Sequence, residues 1–378
     1  MVCFEKRKGI GKMPGPGMII NAIKAQSFQK KTGVTAKENA MKAYNHQTPD
    51  WIPCVYTDFW FLQPMMEGER YCGHEVGKDW FGVEWTYEPK TGAPMPTPGK
   101  ELFDDIADWK EYVMFPDLDA IDWEKQAEED LRTDLVASLS AGHRVYTKGG
   151  KSIVDPKKPG LAMVLNGMFE RMHALMGFEN ALVALASDPE SCAEYFAAMA
   201  DYKIRFFRKI GQYYPVQVIN AHDDYGHKNG MMMSPETWRK LIKPNLKRMV
   251  DACHEMGIKY QHHSCGYIEP IIPDLVEIGV DALDPLQACN TNIRELKDQY
   301  QDRLTFVGGE DNQGVIEQPG CSVKEQKAEY DRAVRLLAPG GSYVAFPHVA
   351  DFSLIPAQIE EHFKYGVPFY KNAAKAAR

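Results

Sequence analysis

The stretch His262-His263-Ser264-Cys265-Gly266 has residue types and a spacing that can do chemistry. In extended backbone, residues two apart share a face, so His263 and Cys265 can converge on one ion while His262 points the other way. Imidazole and thiolate together suit zinc. Such a pair needs a third protein ligand, and the sequence offers Glu310 first, then His348 or Asp224. The run His222-Asp223-Asp224 is a second concentration of ionisable groups, suited to acid/base work or to capping a helix. Asp58 lies among Tyr56, Phe59, Trp60, Phe61 and Met65, which read equally as core or as an aromatic-lined pocket.

Something must bring these groups together. From about residue 160 the chain alternates apolar runs with amphipathic segments. The pattern predicts strands over 161–165, 216–219, 258–263, 280–284, 304–307 and 343–346, with 52–56 as the first. It predicts helices over 35–44, 268–277, 293–301 and 323–337, one from Pro189, and one from Pro235 that Pro244 should kink. Alternating strands and helices with short connections mean a parallel sheet. A (β/α)8 TIM barrel is favoured over a doubly wound sheet, because no GxGxxG follows any strand. The expectation is an α/β chain: an N-terminal arm over 1–34, one barrel domain over 35–378, and a rim insertion over about 88–132. The proline-rich start of that insertion reads as a loop and its remainder as helical pieces. Catalytic groups in a barrel gather at the carboxyl ends of strands. Here those ends carry Asp58, Asn166, His222-Asp223-Asp224, His263 with Cys265, Asp284, Glu310-Asp311 and His348, which predicts one polar cavity at one face.

Composition narrows the partners. The charge sum is 44 basic against 52 acidic side chains, or −8, which argues against nucleic acid. No window approaches the roughly 20 apolar residues that cross a bilayer, so no membrane span is expected. Eight scattered cysteines without a CxxC pair fit free thiols in a reducing, cytoplasmic setting.

Several stretches together resemble the uroporphyrinogen decarboxylase superfamily, in its branch of corrinoid-dependent methyltransferases. They run from Lys37-Glu38-Asn39 and Pro49-Asp50-Trp51-Ile52-Pro53, through Asp79-Trp80-Phe81-Gly82-Val83 and Phe169-Glu170-Arg171, to His263-Ser264-Cys265-Gly266, Gly308-Gly309-Glu310-Asp311 and Ala338-Pro339-Gly340-Gly341. The resemblance implies the same (β/α)8 barrel. Decarboxylases of the superfamily bind a polycarboxylate porphyrinogen through arginines in an early segment. The matching stretch 55–68 has none, although Asp58 matches their central aspartate. The methyltransferase branch places zinc on a His-x-Cys pair plus a later cysteine. His263 and Cys265 fit the first two positions, and the later one falls near Gly341.

One thiolate, one imidazole and Glu310 would make a harder zinc, better suited to polarising an ether than to activating a thiol. The resemblance therefore implies zinc-dependent transfer of a methyl group from a small-molecule donor, above all a methoxylated aromatic, to Co(I) of a corrinoid. No Asp-x-His-x-x-Gly occurs, so the corrinoid should arrive on a partner protein. Asp58, His222, Asp224 and Glu310 are the expected catalytic residues; Tyr56, Trp60, Asn166, Asp223, Tyr225 and His348 are the expected substrate contacts. Transfer from a methylcorrinoid to a thiol or folate, and a metal-free lyase centred on Asp58, are the alternatives. A homodimer is left open.

Overall fold

The protein is described by a computed structural model over residues 27–370, apart from 66, 67, 90, 91, 291 and 368. Most of the expected arm lies outside the described residues; its part 27–32 is helical, and Phe28 packs 6.0 Å from the Trp51 ring.

Seven parallel strands lie side by side in chain order: β1 (Trp60–Leu62), β2 (Gly160–Val164), β3 (Val218–His222), β4 (Lys259–His263), β5 (Ala282–Asp284), β6 (Thr305–Val307) and β7 (Tyr343–Val344). Just past β7, Ala345 bridges Cys54 in parallel, so the chain approaching β1 returns to the last strand and the sheet curls into the expected barrel. Apart from β4, which carries Gln261, His262 and His263, the strands are short, mainly apolar runs because both faces are covered, by helices outside and by facing strands within. The helix Ala36–Tyr44 sends Ala40, Ala43 and Tyr44 into the same cluster as the inward Leu161, Val218, Ala282, Val307 and Val344. It sits at the amino-terminal mouth, where the Thr305 hydroxyl at the start of β6 donates to the Ala43 carbonyl at 2.9 Å. Its own start is a capping box between Thr35 and Glu38, so its first turn is internally satisfied.

Three elements differ from expectation. Residues 52–56 do not form a strand: Cys54 makes only the bridge, and Val55–Asp58 is a helical turn. That turn is closed by the Asp58 carboxylate, which accepts from the Cys54 N–H at 3.0 Å and the Thr57 hydroxyl at 2.8 Å. The proline-rich stretch is not a loop throughout. Ala93–Pro96 pairs antiparallel with Glu84–Glu88, which pairs in turn with Gly77–Lys78. Pro94 and Pro96 lie on the outer strand of this small sheet, where a missing N–H costs little. Finally, Pro244 splits its helix rather than bending it, giving Pro235–Leu241 and Lys243–Glu255. Short helices at Ile106–Asp108, Trp109–Tyr112 and Trp123–Asp130 follow the rim sheet, as the sequence predicts. No helix among the described residues is long and apolar enough to cross a membrane.

Candidate metal and active site

His263 ends β4, and the chain leaves the strand through Ser264 to Cys265, so both side chains turn to the carboxyl face of the barrel. The His263 Nε2 lies 3.5 Å from the Cys265 Sγ and 3.8 Å from the Asp224 Oδ1. The Asp224 carboxylate is fixed there because it accepts the Cys265 N–H at 2.7 Å. These three donors all lie within 4.8 Å of one another. A tetrahedral zinc with ordinary Zn–N, Zn–O and Zn–S bonds separates its ligand atoms by about 3.3–3.7 Å, so the set fits that ion with one position left for substrate.

The other side of the His263 ring supports the same reading. Nδ1 faces the Asp284 Oδ2 at 3.2 Å, and that oxygen also accepts from the Asn220 Nδ2 at 2.7 Å. Burial would raise the Asp284 carboxyl, but His263 outweighs it and holds it below the usual range. A carboxylate on Nδ1 leaves Nε2 as the ligand atom and sharpens its basicity. His222, the register partner of His263 on β3, stacks on it with ring centres 3.8 Å apart and planes 4° apart. Burial first, then His263, keeps His222 neutral, far below the ordinary imidazole value.

Protons compete for these ligands. Burial pushes the Cys265 thiol up to about 11. For His263 burial works the other way, but Cys265 and Asp284 outweigh it and raise its value well above normal. Both donors therefore hold protons at neutral pH that an ion must displace, and affinity rises as pH rises. Zinc binding should strengthen about 10- to 100-fold from pH 6 to pH 7, corresponding to one or two protons released. Competition against a chromophoric chelator across that range measures it, and a flat profile would place the ion elsewhere.

Other expected residues fall into place less evenly. Among the described residues, no three donors mutually within 4.8 Å include Glu310, the expected third ligand. Burial, with Glu329 nearby, raises its carboxyl well above the usual range against the pull of Arg332, and a neutral acid is a poor ligand. Asp58 belongs to no such donor group among the described residues. Trp51 Nε1, the Cys54 N–H and the Thr57 hydroxyl occupy its oxygens, and the Thr57 carbonyl accepts from Lys158, just before β2. Trp60 is core, its ring filling the space a side chain at Gly160 would need. Asp223 caps a helix: it accepts the N–H groups of Met168, Phe169 and Glu170, which open the helix Met168–Met176, and the Tyr225 hydroxyl. Tyr225 is fully buried and stacks against His262.

Tyr56 belongs to an aromatic row reaching the cluster. It meets Phe61 at 5.8 Å and Phe346 at 5.6 Å; Phe346 meets His348 at 5.4 Å, and His348 meets His263 at 5.3 Å. Asn166, past the end of β2, is held at φ +53° with its Nδ2 buried and unpartnered among the described residues. A non-glycine residue strained in that way, with a donor to spare, is the kind of feature that active sites retain. Gly341 precedes β7, at the end of the strand opposite the cluster, so no cysteine there could reach His263; His348 occupies the facing position beyond β7.

One group escaped the sequence reading. Glu170, in the first turn of the helix after β2, has its carboxyl pushed up to about 7 by burial, then by Asp224 and Asp223. The signal was its place one turn beyond a strand end, in a helix start that Asp223 caps from β3.

A family profile described as uroporphyrinogen decarboxylase (URO-D) matches residues 156–344. Among solved structures, a methyltransferase from Methanosarcina mazei is similar in fold, with a TM-score of 0.61 at 15% identity, covering 88% of this chain and 99% of its own. No curated protein matches significantly.

Proposed function

Since this chain belongs to the uroporphyrinogen decarboxylase family, with half its length within the family profile, we propose that it is the methyltransferase of a corrinoid-dependent demethylation system. The observation that carries this reading is the Asp224–His263–Cys265 donor set with Asp284 behind it. A zinc ion held there supplies a Lewis acid that draws charge onto the oxygen of a methyl ether. The substrate is a methoxylated aromatic, and the row of Tyr56, Phe346 and His348 gives its ring an apolar wall. Asn166 Nδ2 donates to a ring substituent. Glu170, protonated near neutral pH, supplies the proton that the departing phenolate needs. A corrinoid brought to the carboxyl face by a partner protein would supply the Co(I) nucleophile that accepts the methyl group as the phenol leaves. The Methanosarcina mazei neighbour, named a methyltransferase, agrees with this reading.

The lyase alternative is disfavoured by Asp58, whose oxygens are already committed to three donors. The test is a panel of methoxylated benzoates and phenols incubated with the zinc-supplied protein and Co(I) cobalamin. Conversion of the Co(I) spectrum to methyl-Co(III), with one phenol formed per methyl moved, is the expected result. Methylation of thiols from methylcobalamin with no ether cleavage would reverse the direction, and carbon dioxide release without cobalamin would replace the reaction class.

A further inference from the structure

The barrel lumen carries a line of polar groups that the proposed reaction does not use. Tyr44, at the end of the helix closing the amino-terminal mouth, donates its hydroxyl to the Gln261 Oε1. Gln261 on β4 is the register partner of Asn220 on β3, so the two side chains lie next to each other inside the barrel. The Gln261 Nε2 and the Asn220 Oδ1 are both buried and have no hydrogen-bond partner among the described residues, each other included. One is a donor and the other an acceptor. Asn220 in turn donates to the Asp284 Oδ2, which takes the His263 Nδ1 side. All four of Tyr44, Gln261, Asn220 and Asp284 are at most 3% exposed.

We infer that Tyr44, Gln261 and Asn220 are positioning residues for the metal site, forming one polar line, joined between Gln261 and Asn220 by a water, that fixes which nitrogen of His263 faces the ion. The direction of the line is forced from its upper end. Asp284 as a carboxylate only accepts, so Asn220 must offer it Nδ2 and turn Oδ1 towards Gln261. Gln261 must answer with Nε2 through one water, since the two atoms make no direct hydrogen bond, and that leaves its Oε1 for the Tyr44 hydroxyl. With Asp284 held as an acceptor, His263 keeps hydrogen on Nδ1 and presents Nε2 to Cys265 and Asp224. A plug helix at one mouth of the barrel thereby sets a ligand at the other.

The inference rests on the metal reading above, and zinc affinity separates the two. Zinc dissociation constants are measured by chelator competition on the full chain for wild type, Tyr44→Phe, Gln261→Leu, Asn220→Leu and the Asn220→Leu/Gln261→Leu double variant. Asn220→Leu should weaken zinc about 10-fold or more, the effect of losing an outer partner of a ligand. Gln261→Leu and Tyr44→Phe should weaken it by progressively less, and the double variant should be no weaker than Asn220→Leu alone, because members of one line are not additive. Packing effects alone would add and would leave Tyr44→Phe, which removes a single oxygen, at the wild-type value. Wild type that binds zinc while Asn220→Leu binds within twofold of it, or additive losses, would overturn the line and leave the metal reading standing. Wild type that binds no zinc would remove both.

Discussion

A Cys265→Ser variant is expected to move methyl groups at least about a hundredfold more slowly than wild type, even with excess zinc, because several kcal/mol of charge stabilisation by the ion is at stake and each 1.4 is tenfold. The hydroxyl is close in shape to the thiol but does not ionise in reach of neutral pH, so the site loses a charged ligand and keeps its packing. His263 would then face Asp224 alone across the 3.8 Å gap. Cys289→Ser serves as the control: that half-buried thiol belongs to no donor cluster among the described residues, and its loss should leave the rate unchanged. Initial rates of methyl-Co(III) formation for the two variants decide the matter. A Cys265→Ser enzyme at wild-type speed would detach the ion from the chemistry.

The largest effect on stability is expected at Asp79. This carboxylate is wholly buried and carries four donors: the Phe81 and Val83 N–H groups, the Trp85 indole and the Arg171 guanidinium. Arg171 also donates to the Glu69 carbonyl and lies over the Phe81 ring at 4.2 Å. Arg171 sits on the helix Met168–Met176, which bears Glu170, so the pair ties the rim sheet to the wall of the active site. Asp79→Ala strands a fully buried guanidinium, and about 3–5 kcal/mol of folding stability should be lost. Replacing both partners, as Asp79→Leu with Arg171→Met, should cost clearly less, because no charge is then left uncompensated. Urea unfolding of the two variants checks the order. Equal losses would mean that packing, and not the stranded charge, sets the cost.

The barrel was legible because its strands are buried on both faces and therefore read as short apolar runs between turn residues. The pairing of His263 with Cys265 was legible from the two-residue period of extended chain. Partners from other strands were not. In sequence Glu310 reads ahead of Asp224 as a ligand, and only the Cys265 N–H, which pins Asp224 beside the thiol, reverses that order. Asp223 reads as a polar strand-end residue, yet it caps a helix more than fifty residues earlier in the chain. Asp58 appears catalytic beside its aromatic neighbours until the Trp51 indole and two local donors are seen to hold it. Such commitments depend on contacts distant in sequence, and no local pattern records them. Glu170 was hidden for a related reason: its acidity is set by burial and then by Asp224 and Asp223 on the neighbouring strand end.

Metal content is the most direct test of the central claim. The protein, purified with zinc supplied and without chelators, is analysed for metal beside the His263→Ala/Cys265→Ala double variant. About one zinc per chain in the wild type and none in the folded variant is the expected result, as for a three-ligand catalytic site. A folded wild type that remains free of zinc, or a double variant that keeps it, would contradict a metal centre at Asp224, His263 and Cys265.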